Sequence, residues 1–224
     1  MRFELTQEQK MIKDMTRKFA AEELASEVIK RDIEKIWPYE QIKKMSELGL
    51  MGMMVESDWG GTNMDTISYV IAMEEIAKVD ASAAVIMSVN NSLVCYIFQK
   101  YANEYQKEKY LHDLAKGKKL GCFSLSEPQS GSDASNMNVY AKKDGDNYII
   151  SGTKNWVTNG IKSDIIMLFC MTEKNIGHKG ISCFIVEKNT PGVSVGKAEE
   201  KLGIRSSDTC ELYFDQVSIP CLLY

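Results

Sequence analysis

The sequence predicts an α+β protein, an all-helical N-terminal domain followed by an antiparallel β-barrel or β-sandwich domain. Three observations carry this. Apolar residues recur at helical spacing up to about residue 118 and at alternating spacing after it. The second half breaks into many short runs bounded by turn signals, the pattern of an antiparallel barrel or sandwich. Hydrophobic residues make up 44% and charged residues 26% of the 224, an ordinary globular composition that excludes global disorder. The expected domains are residues 1–118 and 119–224, each large enough to bury its own core.

Taken in order, Thr6 with Gln9 three residues on makes a capping box, and Met11, Ile12, Met15 and Phe19 form one apolar stripe behind it. Pro38 is expected to start a second helix, since proline is welcome in a first turn, and Gly49 or Gly52 to end it. Residues 58–63 are a loop by composition. Helices follow over about 65–79, 82–101 and 104–115, with Gly117 as the last stop. In the middle one, Ala83, Ala84, Ile86, Met87, Val89, Leu93, Val94 and Ile97 surround most of the circumference, so that helix should be buried. Strands are expected over 121–126, 137–143, 148–151, 165–171, 181–186, 193–195 and 210–217, separated by turns at 144–147, 175–180 and 191–192.

Composition removes several function classes. A net charge of −4, a pI of about 5.4 and the lack of any long Lys/Arg run argue against a nucleic-acid groove or an anionic membrane surface. The six cysteines form no C-x-x-C pair and the two histidines lie far apart, which argues against a zinc site. Dispersed cysteines in a chain of this size read as reduced, buried thiols of a cytoplasmic protein. The N-terminus opens into a helix pattern with neither a signal-peptide nor a transit-peptide bias, and no apolar run approaches the ~20 residues of a membrane span. Gly192–Ala198 is one residue short of a P-loop and lacks its Ser/Thr, and no G-x-G-x-x-G fingerprint occurs.

Two segments carry candidate chemistry. In Cys122-Phe123-Ser124-Leu125-Ser126-Glu127-Pro128-Gln129-Ser130-Gly131-Ser132-Asp133 a strand runs into a loop dense in hydroxyls. Such a loop can offer backbone N–H groups and hydroxyls to an anion, or it can be a polar turn with a side-chain cap. In Gly152-Thr153-Lys154-Asn155-Trp156-Val157-Thr158-Asn159-Gly160, Trp156 and Thr158 share a face if the strand is extended. That face either packs on a flat heteroaromatic ring or belongs to a hairpin with a buried tryptophan.

Together these segments resemble the acyl-CoA dehydrogenase family, close to its short-chain, butyryl-CoA-like members, and the likeness covers essentially the whole chain. Ser88-Val89-Asn90-Asn91-Ser92-Leu93, Lys201–Thr209 and the closing Val217-Ser218-Ile219-Pro220 add to it. The resemblance implies FAD as cofactor. Phe123, Leu125 and Ser126 would border the flavin ring, Gly131 and Ser132 its pyrophosphate, and Trp156, Val157 and Thr158 the isoalloxazine, with Thr158 near N5. Ser132 and Leu93 would contact the acyl-CoA.

The reaction so implied removes the α-proton of a short-chain acyl-CoA and passes the β-hydride to FAD, giving a trans-2-enoyl-CoA. Electrons would leave through an electron-transfer flavoprotein, and the full-length form would be a homo-oligomer. Family members continue into a C-terminal four-helix domain that supplies the glutamate base, and this sequence ends at Cys221-Leu222-Leu223-Tyr224. No catalytic residue is therefore assigned within it; Glu74, Glu75 and Glu127 read as cap or helix-surface residues. By itself the chain is expected to be inactive. Its alternatives are a non-catalytic remnant that binds acyl-CoA or a partner, and one half of a split dehydrogenase.

Overall fold

Thr6 opens the first helix as its spacing predicts. In the computed structural model, which describes residues 4–224, the Thr6 hydroxyl accepts the Gln9 amide at 3.2 Å and the Gln9 side chain accepts the Thr6 amide at 3.0 Å. Helix α1 (Gln7–Phe19) continues through a wide turn, Ala20–Leu24, and a tight one, Ala25–Glu27, into α2 (Val28–Glu34), which the periodicity did not predict. Pro38 caps α3 (Tyr39–Glu47). Asp65 caps α4 (Thr66–Ala77) and Asp80 caps α5 (Ala81–Ser88), each through its carboxylate. α5 runs on through the wide stretch Val89–Cys95 into α6 (Tyr96–Tyr101), and α7 (Glu104–Gln106) likewise runs through Lys107–Leu111 into α8 (His112–Ala115).

These helices, up to Lys118, form one unit together with the segment Glu200–Ser207; Lys119–Glu199 and Asp208–Tyr224 form another. The core of the helical unit is Phe19, Leu24, Met45, Leu50, Met51, Ile76, Ile86, Met87, Phe98, Tyr110 and Leu111, all buried. The expectation that no apolar run approaches a membrane span needs correcting: the continuous helix Ala81–Tyr101 has 21 residues and a mean hydropathy of 1.5, so by length and composition it passes for one. Most of its apolar window is buried inside the protein, as in a core helix. Asn90 and Asn91, buried on it, satisfy backbone groups of the tight turn Leu50–Gly52 and its neighbours. Asn90 donates to the carbonyls of Met51 (2.9 Å) and Leu114 (3.0 Å). Asn91 donates to Leu50 (2.8 Å) and accepts the Met53 amide (2.7 Å).

Ion pairs between distant segments tie this unit. Arg17 reaches Glu75 at 3.0 Å, and buried Arg31 holds Asp80 at 2.9 Å while donating to the Leu24 carbonyl at 2.6 Å. Lys35 holds Glu200 at 2.5 Å, and Asp32 accepts the Arg205 amide at 2.7 Å, so Glu200–Ser207 is anchored to α2 and its C-terminus. Within that segment Leu202 is fully exposed and Ile204 adopts a left-handed φ of 56°.

The second unit is one seven-stranded sheet: β1 (Gly121–Ser124), β2 (Tyr140–Asp144), β3 (Asn147–Thr158), β4 (Ile165–Met171), β5 (Ile181–Glu187), β6 (Val193–Ala198) and β7 (Thr209–Pro220). Its order is β1-β4-β2-β3-β7-β6, with β5 also paired to β4. The expected order of a helical domain and then a β domain is what the chain adopts; its sheet is a curled half-barrel that mixes parallel with antiparallel neighbours. β1 runs parallel to β4, Gly121 opposite Ile165 through Ser124 opposite Leu168, and β2 meets β4 parallel at Tyr140–Met171. Parallel neighbours need a connection of a dozen or more residues, which the stretch from Leu125 to Asp164 supplies. The nearly continuous burial of β4 is the pattern of a strand covered on both faces. β2 and β3 form a hairpin closed at Asp144–Asn147, where Gly145 takes the positive φ of 57° that the first position of this two-residue turn demands.

Candidate functional site

The hydroxyl-rich loop begins where β1 ends. Glu127 and Ser130 close a tight turn by exchanging backbone hydrogen bonds of 2.8 and 3.0 Å, and the Ser130 hydroxyl donates to the Asp133 carbonyl at 2.7 Å. The loop is therefore rigidly built.

Its anchor is an ion pair that the sequence reading missed. Glu127 is buried, not a cap or a surface residue. Its carboxylate accepts Lys154 Nζ at 2.8 Å, the Val139 amide at 3.0 Å, the Asn138 amide at 2.6 Å and Gln129 Nε2 at 2.6 Å. Lys154, fully buried on β3, also donates to the Leu125 carbonyl at 2.8 Å. Charged side chains are almost never fully buried unless paired. Burial alone would push the Glu127 carboxyl up, but Lys154 and the amides outweigh it and hold it below its ordinary value. Burial pulls the Lys154 ammonium below its ordinary value, against the pull of Glu127. The available signal was a lysine in mid-strand beside a Glu-Pro turn, which pattern reading assigns to solvent.

The same correction holds for Glu75. It is buried on α4 and bound by Arg17 and Lys78, which carry its carboxyl down to about 2. Glu74 does lie on the helix surface, paired with Lys78 at 2.9 Å.

The second segment departs from a regular strand. The β3–β7 register slips between Lys154 and Val157, and Trp156 sits in this bulge with φ of 58°. A bulky residue at positive φ is a genuine outlier that surrounding structure must hold in place. The extra residue lies before Val157; Trp156 is exposed, Val157 buried and Thr158 half-buried, so exposure still alternates over 156–158. Trp156 stands 62% exposed, so it is not the buried tryptophan of a hairpin. Its neighbour Asn155 donates its amide to the Ser126 carbonyl at 2.8 Å, which stitches β3 to the loop.

The predicted residues of this unit take up the following positions. Phe123 is half-buried, on the face of β1 opposite Cys122 and Ser124, and packs on Phe169 with ring centres 4.8 Å apart. Leu125, Ser126 and Thr158 are half-buried, and Gly131 and Ser132 are exposed on the loop. The hydroxyls of Ser126, Ser132 and Thr158 have no hydrogen-bond partner among the described residues. The Val157 side chain is in the core, leaving only its backbone to a ligand. Gly131 needs neither a positive φ nor space, since a Cβ there would meet nothing within 4 Å. Leu93 belongs to the helical unit, partly exposed on the stretch Val89–Cys95.

Four of the six cysteines (Cys95, Cys122, Cys170 and Cys210) are buried, and Cys183 and Cys221 are half-buried. Burial pushes the first four and Cys183 up to about 12, so they are inert thiols at neutral pH. Among the described residues no group of three or more His, Cys, Asp or Glu could hold a metal ion.

The sequence matches the acyl-CoA dehydrogenase N-terminal domain over residues 6–118 and the acyl-CoA dehydrogenase middle domain over residues 122–217. The chain belongs to the acyl-CoA dehydrogenase family. It is 42% identical over 220 residues to a short-chain specific acyl-CoA dehydrogenase of Clostridium acetobutylicum, covering 98% of this chain and 58% of that relative. It is similar to butyryl-CoA dehydrogenase of Megasphaera elsdenii (TM-score 0.96, 40% identity, all of this chain and 59% of that one). It is equally similar to a chain in a structure of the electron transferring flavoprotein of Acidaminococcus fermentans (TM-score 0.97, 42% identity, again all of this chain and 59% of that one). The chain thus spans little more than half the length of the relatives it matches. The family motifs fall on the loop and the bulged strand described above.

Proposed function

We propose that this chain supplies the flavin-binding and part of the acyl-CoA-binding surface of a short-chain acyl-CoA dehydrogenase. The observation that carries the reading is Trp156, held exposed at a disfavoured φ beside a rigid loop of uncommitted hydroxyls. A flat, anionic, hydrogen-bonding cofactor suits that arrangement, and FAD fits the residues present. Trp156 offers an aromatic face. Ser126 and Thr158 offer hydroxyl donors for the polar edge of a ring, and Phe123 and Leu125 an apolar border. Gly131 leaves room for a diphosphate to approach the backbone, with the Ser132 hydroxyl beside it. Through its backbone, Val157 takes part.

Held by these residues, FAD would supply the acceptor for the hydride that leaves the β-carbon of the thioester. The chain's own residues do the rest of the work assigned here. Trp156 would cover the ring and exclude water, Thr158 and Ser126 would orient it, and in this unit Ser132 would hold the acyl-CoA. The α-proton must go to a desolvated carboxylate with a raised pKa. The buried carboxylates among the described residues do not suit that role. Glu75 and Glu127 are engaged by cations that lower their pKa, and Asp80 is engaged by Arg31 and its helix cap. We therefore assign the base to a group outside residues 4–224. The product is a trans-2-enoyl-CoA, and electrons leave through an electron-transfer flavoprotein in the cytoplasm, from a homo-oligomeric enzyme.

The test is an FAD titration of the purified chain, followed by desalting, a visible spectrum, and anaerobic addition of butyryl-CoA. Flavin that stays bound and whose spectrum shifts with butyryl-CoA supports the reading. Failure to retain any flavin would refute it. Bleaching by the chain alone would overturn the assignment of the base to an outside group.

A further inference from the structure

Resting on that flavin-binding reading, we propose that the buried Glu127–Lys154 pair is a positioning device that sets the hydroxyl loop and the Trp156 bulge in register for the flavin. Every bond the pair makes joins the loop to itself or to β3. Glu127 grips its own loop at Gln129 and again at the amides of Asn138 and Val139. It thereby fixes both ends of the stretch that carries Gly131 and Ser132. Lys154 reaches from β3 to Glu127 and to the Leu125 carbonyl, one residue before Ser126. The Asn155 amide then binds the Ser126 carbonyl, and Trp156 follows at once in the bulge.

Stability alone does not account for such a pair, because a well-packed apolar replacement of a buried ion pair is often neutral or stabilising. Its directional bonds do what apolar packing cannot. A bulge invites a slip in register, and one residue of slip sends each side chain to the other face. A tryptophan at φ of 58° persists only where its surroundings over-determine it. Lys154, the last residue before the slip, is pinned at its ammonium by two acceptors 2.8 Å away. Neither member touches the flavin in this proposal. Both act through Ser126, Ser132 and Trp156.

The test uses the full chain with FAD as the probe. The double variant Glu127→Gln/Lys154→Met removes both charges without leaving either unpaired. A second variant, Glu127→Asp, keeps the charge but shortens its reach. Three quantities are read: the urea midpoint, the FAD dissociation constant, and the quenching of Trp156 emission by FAD in a Trp37→Phe/Trp59→Phe background. The expected result is a near-native urea midpoint, FAD binding weaker by about tenfold or more (about 1.4 kcal/mol), and loss of most of the Trp156 quenching. Should the double variant not fold, Glu127→Asp is expected to bind FAD more weakly while staying folded. Either folded variant binding FAD as tightly as the parent, with full quenching, overturns the proposal. If the parent chain itself binds no FAD, the flavin reading falls instead, and with it the reason for the device.

Discussion

Replacing Trp156 with asparagine separates the work of this residue from its packing. A tryptophan truncated in a protein core costs about 3–5 kcal/mol. Trp156 is 62% exposed, so roughly two-fifths of its surface is out of water. With the ~250 Å² that a tryptophan can bury and about 25 cal/mol per Å², that is about 2 kcal/mol of lost burial at most. The opposing gain is relief of the left-handed backbone, about 1–3 kcal/mol for a bulky residue, in a conformation asparagine tolerates. The two terms nearly cancel. Trp156→Asn should therefore lie within about 1 kcal/mol of the parent in urea unfolding, with an unchanged m-value. Its FAD affinity should nevertheless collapse, while Trp156→Phe, which keeps a ring and the strain, should retain much of it. A loss of about 3–5 kcal/mol would mean that Trp156 is a core residue, and unchanged FAD binding by a stable Trp156→Asn would mean that it does not cover the ring. Either result refutes the reasoning.

Other consequences can be checked with the same chain. The Glu75 carboxyl at about 2 lies below its ordinary 4.5, so its stabilisation is present above pH 4.5 and lost as pH falls toward 2. Because Arg17 is more than half exposed, the effect should be small, and Arg17→Gln should lose less stability than the parent between pH 5 and pH 2; parallel losses would exclude it. Arg31→Met should cost about 3–5 kcal/mol in urea unfolding by leaving the Asp80 carboxylate buried and unpaired, and Arg31→Met/Asp80→Asn, which keeps a helix cap, should recover most of it. Gly131→Ala should change stability by less than about 0.5 kcal/mol, since its Cβ meets nothing, yet weaken FAD binding. Gly180→Ala, whose Cβ would lie 2.0 Å from the Glu173 carbonyl oxygen, should be clearly destabilised by comparison.

Much of this architecture is legible in the residues because each element announces itself locally. Thr6 with Gln9, Gly49 and Gly117 mark helix ends by their own side chains or lack of one, and Ile165–Met171 reads as a strand because it is apolar throughout. What stayed hidden depends on partners distant in sequence. The parallel pairing of β1 with β4 joins residues some forty positions apart and leaves no local trace. Helix α2 exposes Ile29 and Ile33, so its apolar residues do not mark a buried face. Glu127 and Glu75 read as cap or surface residues because a cation that holds each of them buried lies far along the chain, Lys154 27 residues from Glu127 and Arg17 58 residues from Glu75. The Trp156 bulge hid for a further reason: parity assumes a regular strand, and no residue type at 154–157 signals the slip.

Several departures from local rules in the β unit lie in the two segments that carry the resemblance. A tryptophan takes a backbone better suited to glycine or asparagine, a glycine sits where neither backbone nor packing asks for one, and three hydroxyls have no partner among the described residues. Real proteins tolerate such conflicts at functional sites and offset them elsewhere. Here the offset is identifiable. Immediately behind the strained bulge lies a lysine with no solvent exposure, and its carboxylate partner accepts four hydrogen bonds. Strain that a ligand needs, and a dense polar lattice that a ligand never touches, are on this reasoning one arrangement: the lattice holds the site in a shape it would otherwise relax out of.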